Sequence, residues 1–358
     1  MKNRILITML TAYLAGCACV LSQQSPEPMY GGRPLNVWVK KLQYCDIQGS
    51  SFRPAAEVVE AIQNIGPAAV PWLLKWMWLT PTRPHTFPNP VSPVDPELDS
   101  APTQYEVAMA FRVLGTEGRS AVPELARLIS GVDDKPVESD AFIDSISSLA
   151  FLGPDAVPVL LRQVFAITNG DIPLKGLVID RLGWMGTNGE AAIPALITWA
   201  GDTNAWVRQS AVGSLAAIGR KPELVLPVLI TASHDPDVTV RLQAATGLGN
   251  FSKQEKSAIA PLIKLLNDPE QNVRRLAILK LGKLAEDRDL VVPPLIRQLK
   301  DKNVYVRWTV VTELGDLGGD RAFHALKKAT QDSDPTVRKA ALEALQKLEA
   351  APVIKSKK

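Results

Sequence analysis

In the second half of the chain, apolar residues recur at helical spacing and then repeat as a block. Between Asp202 and Asp235, Ala211 and Leu215 lie four residues apart and Ile218 three further on, which is one face of a helix. This first helix opens at Val207-Arg208 and ends at Gly219. Pro227 then starts a second helix at a first-turn position, where its missing N–H costs nothing. Leu229 and Ile230 follow as apolar anchors, and Asp235 closes the unit. The block then begins again. Arg208, Arg241, Arg274 and Arg307 are spaced by 33 residues, Arg338 follows after 31, and an Asp stands six residues before each: Asp202, Asp235, Asp268, Asp301 and Asp332. A fixed period of this length marks stacked units, each burying its apolar face only against its neighbours.

The same grammar extends upstream. Second helices are predicted to start at Val70-Pro71, Val122-Pro123, Val157-Pro158, Ile193-Pro194, Leu226-Pro227, Ala260-Pro261 and Val292-Pro293. First helices are predicted to end near Gly66, Gly115, Gly153, Gly186 and Gly219. Phe323 to Ala329 supplies the second helix of an eighth pair, and Val337 to Leu348 a last helix that closes the array. Asp235-Pro236 and Asp268-Pro269 read as an N-cap followed by proline at the first helical position. Asn169 and Lys175 stand where later units have Asp and Arg, and still earlier units have neither.

This pattern, with Asp-Pro-x-Val-Arg and small residues at Ala244, Ala277 and Ala341, resembles HEAT repeats of the short bacterial type. The resemblance covers about residues 52–350 and is strongest from residue 170 onward. It implies an all-α, right-handed α-solenoid of about eight helix pairs. It also implies a hydrogen-bonded ladder between neighbouring repeats, made by Asp202, Asp235, Asp268 and Asp301 with Arg208, Arg241, Arg274 and Arg307. Asp332 and Arg338 are left open as a further rung, because Asp334-Pro335 competes and the spacing shrinks by two. A planar, permanently charged guanidinium suits such a place, since it satisfies carboxylate and backbone acceptors together.

The N-terminus reads as an address. Lys2 and Arg4 form a positive n-region, Ile5 to Leu14 an apolar stretch too short to span a bilayer, and Ala15 and Gly16 a small-residue site. Leu14-Ala15-Gly16-Cys17 resembles the bacterial lipoprotein box, which implies removal of residues 1–16 and a lipid on Cys17. Two or more acyl chains hold stably to a membrane. Ala18 follows the cysteine rather than Asp, which favours the outer over the inner membrane. Residues 17–29 read as a tether and 30–51 as an N-terminal cap. In that cap, Tyr30-Gly31-Gly32-Arg33-Pro34-Leu35-Asn36-Val37-Trp38 is similar to the lead-in of exported bacterial HEAT-repeat proteins, implying that Trp38 covers the end of the solenoid. A Pro-rich insertion over 79–102 carries seven prolines, among them Pro90-x-x-Pro93, and follows a helix crowded with Trp72, Trp76 and Trp78. Residues 351–358 are a basic tail.

Charge and chemistry narrow the function. The 40 Lys and Arg against 37 Asp and Glu give +3, and loss of Lys2 and Arg4 would leave +1. A binder that neutralises phosphates shows a clear basic excess, so this balance argues against nucleic acid. The export signal argues against the cytosolic HEAT-like classes, the bilin lyases and the DNA-alkylation repair proteins. Cys17, Cys19 and Cys45 make no disulfide framework, and pairing of Cys19 with Cys45 stays open. His85, His234 and His324 are none of them followed by Glu, and no HExxH, nucleophile elbow, P-loop or dinucleotide fingerprint is present. No catalytic residue, metal, cofactor or small-molecule substrate is predicted. The expected partner is a protein, and the alternative is an enzyme of unrecognised type on the same scaffold. Aligned on the closing Asp, the second helices carry apolar pairs five and six positions before it: Leu196-Ile197, Leu229-Ile230, Leu262-Ile263 and Leu295-Ile296. One position nearer the Asp, the chain reads Thr198, Thr231, Lys264, Arg297 and Lys328. The HEAT resemblance puts second helices on the concave face, so this row, extended by Lys300 and Lys327, is the candidate partner-binding stripe.

Overall fold

The computed structural model describes residues 26–44, 46–48, 51–79, 102–130, 140–167 and 171–350. The signal segment, all three cysteines, His85, nearly all of the Pro-rich insertion and the basic tail lie outside the described residues. Two compact units divide the chain, Met1–Ser148 and Leu149–Lys358.

Unit 1 begins with two short antiparallel hairpins that the helical reading of the N-terminal cap did not include. β1 (Met29–Tyr30) pairs with β2 (Arg33–Pro34), and β3 (Asp46–Gln48) with β4 (Ser51–Arg53). The first hairpin turns on Gly31 and Gly32, both at positive φ, where a side chain would be strained. α1 (Leu35–Lys40) follows directly, and its Trp38 is buried, with Nε1–H donating to the Tyr30 carbonyl at 3.2 Å. α2 (Ala56–Ile65) and α3 (Val70–Leu79) form a pair, as do α4 (Gln104–Leu114) and α5 (Val122–Ser130). Trp76 on α3 is buried against half-buried Trp72, with ring centroids 5.9 Å apart. Thr103 starts α4 with a capping box, its hydroxyl accepting from the Glu106 N–H while the Glu106 carboxylate accepts from Thr103 N–H. α6 (Asp140–Phe151) crosses the boundary into unit 2.

Unit 2 continues with α7 (Val157–Ala166), α8 (Ile172–Trp184), α9 (Ile193–Trp199), α10 (Ala205–Ile218), α11 (Pro222–Ala232) and α12 (Val238–Phe251). After these come α13 (Ile259–Leu265), α14 (Gln271–Leu281), α15 (Arg288–Arg297), α16 (Val304–Leu317), α17 (Asp320–Ala329) and α18 (Pro335–Ala350). From α2 onward the order is first helix, second helix, eight times over, with α18 last. Ala211, Leu215 and Ile218 of α10 are buried, and so is Leu229 of α11. Full burial of one such Leu contributes about 1.5–3 kcal/mol. Among the described residues no helix is long and apolar enough to cross a membrane.

Two local expectations need correction. The first helices are not capped by Asp235 or Asp268 with proline next. The caps are Asn204, Asp237, Glu270 and Asn303, two residues later, each with a side chain accepting from an N–H of the first turn. Asp235 and Asp268 are otherwise engaged, as shown below. Two second helices also start earlier than their Pro marker: α11 at Pro222 and α15 at Arg288, leaving Pro227, Pro293 and Pro294 inside. Elsewhere a 3-10 turn precedes the Pro, as at Gly66–Ala69 and Gly115–Ala121, so the α-helix begins where expected.

First helices pack through a column of small residues. A Cβ built on Gly183 would lie 2.7 Å from Ser214 Oγ, and one on Gly315 2.8 Å from Ala344 Cβ. Gly249 lies under Lys280 and Gly282 under Glu313 in the same register. The near-complete absence of side chain at these points is what lets adjacent helices approach.

Candidate interaction surface

The Asp and Arg of the 33-residue period form a connected series through unit 2. Nε and Nη2 of Arg208 donate to the two carboxylate oxygens of Asp235, 27 residues on, each at 2.8 Å. Arg241 grips Asp268 at 2.7 and 3.0 Å, Arg274 grips Asp301 at 2.7 and 2.9 Å, and Arg307 grips Asp332 at 2.8 and 2.9 Å. Nη1 turns back to its own repeat. In Arg274 it donates to the carbonyls of Asp268 and Pro269 at 2.9 and 3.1 Å. The carboxylates complete the knot by accepting a backbone N–H two residues on, from Asn204, Asp237, Glu270, Asn303 and Asp334 in turn. The ladder starts with a lysine, Lys175 Nζ to Asp202 at 3.2 Å. It ends with Arg338, which reaches only the carbonyls of Asp332 and Ser333. Asp332 is therefore the final acceptor rung, and Asp334 caps α18 through the Thr336 N–H.

These pairs are held as ions. The Arg208 guanidinium keeps the Asp235 carboxyl below its ordinary range, and Arg307 does the same for Asp332. Each rung joins the turn before one first helix to the turn before the next. It fixes the register of successive repeats and, with it, the alignment of their second helices.

On those second helices, four positions counted back from the closing Asp share one face, at spacing i, i+3, i+4 and i+7. Eight back stand Pro194, Pro227, Ala260, Pro293 and His324; five back, Ile197, Ile230, Ile263, Ile296 and Lys327. Four back stand Thr198, Thr231, Lys264, Arg297 and Lys328, every one exposed. One back stand Gly201, His234, Asn267, Lys300 and Gln331, also exposed. No Asp or Glu occurs in these four rows, whereas one turn earlier on the same stripe stand Glu223, Asp289 and Asp320, all exposed. The expected core pairing is thereby refined. The Leu six positions back is fully buried, whereas the Ile five back is only half-buried and contributes to the surface.

Lys264, Arg297, Lys300, Lys327 and Lys328 form no ion pair with any described residue. Between the ends of α13 and α15 a groove of about 260 Å³ opens, lined among others by Ile263, Asn267, Pro294, Arg297 and Lys300. A residue that the alignment on Asp left out heads the row. Phe165 of α7 lies 33 residues before Thr198, is 69% exposed, and leans on Trp199 with centroids 5.4 Å apart. Aligning on Asn169 as well as on Asp would have found it. His234 is exposed, its Nδ1 within 3.0 Å of the Ile230 carbonyl, and exposed His324 lies beside Phe323. Among the described residues no three His, Cys, Asp or Glu side chains gather as a metal site.

The family model for HEAT repeats matches residues 226–292 and 292–355. HEAT repeats are thus found within residues 226–355 of unit 2. The matched segment begins within α11 and takes in the ladder from Asp235 onward and the basic half of the row. No curated protein matches the chain. Among solved structures, the chain is similar to YibA of Escherichia coli at 17% identity, covering 85% of this chain and all of that one, with a TM-score of 0.47. It is similar to the CpcE–CpcF complex of a Nostoc phycocyanin lyase at 24% identity over 45% of this chain and 98% of that one, TM-score 0.37. It is also similar to a designed armadillo repeat protein solved with the peptide (KR)4, at 18% identity over 63% of this chain and 99% of that one, TM-score 0.38. At these identities and TM-scores none of them informs the activity of this chain.

Proposed function

We propose that this chain is an exported, lipid-anchored scaffold of HEAT repeats that holds a protein partner at the cell envelope and performs no catalysis. The observation that carries the reading is the second-helix face of unit 2. It is a laterally ordered surface of half-buried Ile and exposed Thr, Lys and Arg, with its acids, Glu223, Asp289 and Asp320, kept to the N-terminal ends of the helices. Such a surface recognises a polymer by shape and charge over several repeats rather than a small molecule in one pocket. The address rests on the N-terminal sequence alone: Lys2 and Arg4, the apolar stretch, and Leu14-Ala15-Gly16-Cys17, with the lipid on Cys17 and the outer membrane favoured.

Site-specific photo-crosslinking in cells tests the scaffold. A photoreactive residue at Thr231, on the second-helix face, is expected to capture a discrete protein. The same residue at Leu279, exposed on a first helix, is expected to capture none. Equal capture from both positions, or from neither, overturns the assignment of the face.

A further inference from the structure

The groove between α13 and α15 lies between the first two basic members of the row, Lys264 and Arg297. Its apolar part is Ile263, Leu266 and Pro294. Asn267 and Gln298 supply carboxamides, each able to donate and to accept, which is what a peptide backbone demands of a side chain. Arg297 and Lys300 supply charge. One carboxylate also lines it, that of Asp301, and both its oxygens are already held by Arg274. The groove therefore meets an incoming chain with uncompensated positive charge. The cations continue on either side, with Lys264 on α13 and Lys327 and Lys328 on α17.

The acids of this face, Asp289 and Asp320, stand at the N-terminal ends of α15 and α17, and the eight positions before each closing Asp carry none. A surface that Lys and Arg merely keep in water carries both signs interspersed. Exposed positions on α18 do so, with Glu343 beside Lys339. Over the eight positions before each closing Asp, on the repeats of α13, α15 and α17, five cations stand with no carboxylate among them.

The repeat also sets a spacing. Packed helices lie about 8–10 Å apart, so Lys264, Arg297 and Lys328 present one cation per helix at that interval. A polyproline-II chain advances about 9.3 Å per three residues. An acidic residue at every third position of such a chain meets one cation per repeat, whereas alternate residues of a β-strand, about 7 Å apart, fall out of step.

We propose that the second-helix face of α13, α15 and α17 binds an extended acidic polypeptide, with one carboxylate per repeat on Lys264, Arg297 and Lys328 and the backbone seated in the groove at Asn267 and Gln298. This rests on the reading of the face as a protein-binding surface and names the chemistry of the partner.

The test uses the mature chain and two labelled synthetic peptides of equal composition, (Glu-Pro-Pro)4 and one with the four Glu adjacent. The spaced peptide is expected to bind at least tenfold more tightly by fluorescence anisotropy. Its affinity is expected to fall with added salt, and more than tenfold in Arg297→Glu. Arg297→Gln, with a thermal melt beside it, guards against a folding defect, and a several-fold loss is expected there. Equal binding of the two peptides, or none, overturns the proposal. So does tighter binding of phosphatidylglycerol vesicles or a single-stranded oligonucleotide than of the spaced peptide. The crosslink from Thr231 separates the two readings. A partner still captured there by a chain that ignores both peptides leaves the scaffold standing and removes the acidic-peptide assignment. A chain that binds the spaced peptide but captures nothing in cells contradicts the scaffold instead.

Discussion

Removing one interior guanidinium of the ladder should cost far more than removing the terminal one. Arg274 is the most enclosed rung, with side-chain exposures of 7% on it and 7% on Asp301. It makes two hydrogen bonds to Asp301 and one each to the carbonyls of Asp268 and Pro269. Arg274→Ala leaves the Asp301 carboxylate buried without its counter-ion, and the two carbonyls without their donor. Breaking a buried pair from one side costs about 3–5 kcal/mol. The Asn303 N–H still bonds Asp301, so the lower end, about 3 kcal/mol, is expected. Arg338 contributes only its two carbonyl bonds, and Arg338→Ala should cost about 1 kcal/mol. Urea unfolding followed by circular dichroism measures both. Repeat arrays can depart from two-state unfolding, so the decisive quantity is a double-mutant cycle with Asp301→Ala. Arg274→Ala added to Asp301→Ala should cost well under half of what it costs alone. If Arg338→Ala destabilised as much as Arg274→Ala, or the cycle showed no coupling, the ladder would not be what joins the repeats.

Other outcomes follow from the same packing. Glu313 is buried beside Gly282, and burial first, then the nearby Asp316, push its carboxyl up to about 7 from 4.5 while Lys283 pulls the other way. A raised folded-state value means that the protonated form supports the fold below about pH 4.5 and that this support is lost as pH rises through about 7. The shift sets a ceiling of about 3 kcal/mol. Glu313→Gln should thus raise the urea midpoint at pH 8 and leave it nearly unchanged at about pH 4, below the unfolded value; a gain independent of pH would contradict the assignment. Gly249→Val should lower the thermal midpoint by several degrees, because its side chain would land on Lys280, whereas Gly201→Ala, with only the Thr198 carbonyl 3.6 Å away, should cost much less. Lys175→Arg should stabilise unit 2 by about 1 kcal/mol in the same urea assay, by replacing a single contact to Asp202 with a two-pronged one. No gain would mean that the first rung cannot take the geometry of the others.

Much of the architecture was legible in the chain because repetition multiplies weak signals. A single Gly or Val-Pro pair says little, but Gly66, Gly115 and Gly219 each end a first helix at positive φ in the same phase of the pattern. The Asp and Arg columns were legible for the same reason. Helix starts were less so. Proline marks a first turn only when a distinct turn precedes it, and Pro222 takes that role in α11, leaving Pro227 inside. Asp235 looked like a cap because it precedes Pro236, yet a carboxylate claimed by Arg208 leaves the cap to Asp237. The hairpins at Met29–Pro34 and Asp46–Arg53 are too short for an alternation to show. The groove was out of reach of any local reading, since Ile263 and Arg297 come from helices a repeat apart. The raised Glu313 carboxyl depends likewise on a glycine in the neighbouring first helix.

The account turns on a binding face held at the envelope by a lipid on Cys17. Membrane fractionation of wild type beside Cys17→Ser, each crosslinked in cells through Thr231, puts both parts to one measurement. The account predicts wild type in the membrane fraction with a discrete protein attached, and Cys17→Ser released from that fraction. Both forms in the cytosol, or both equally membrane-bound, would contradict it.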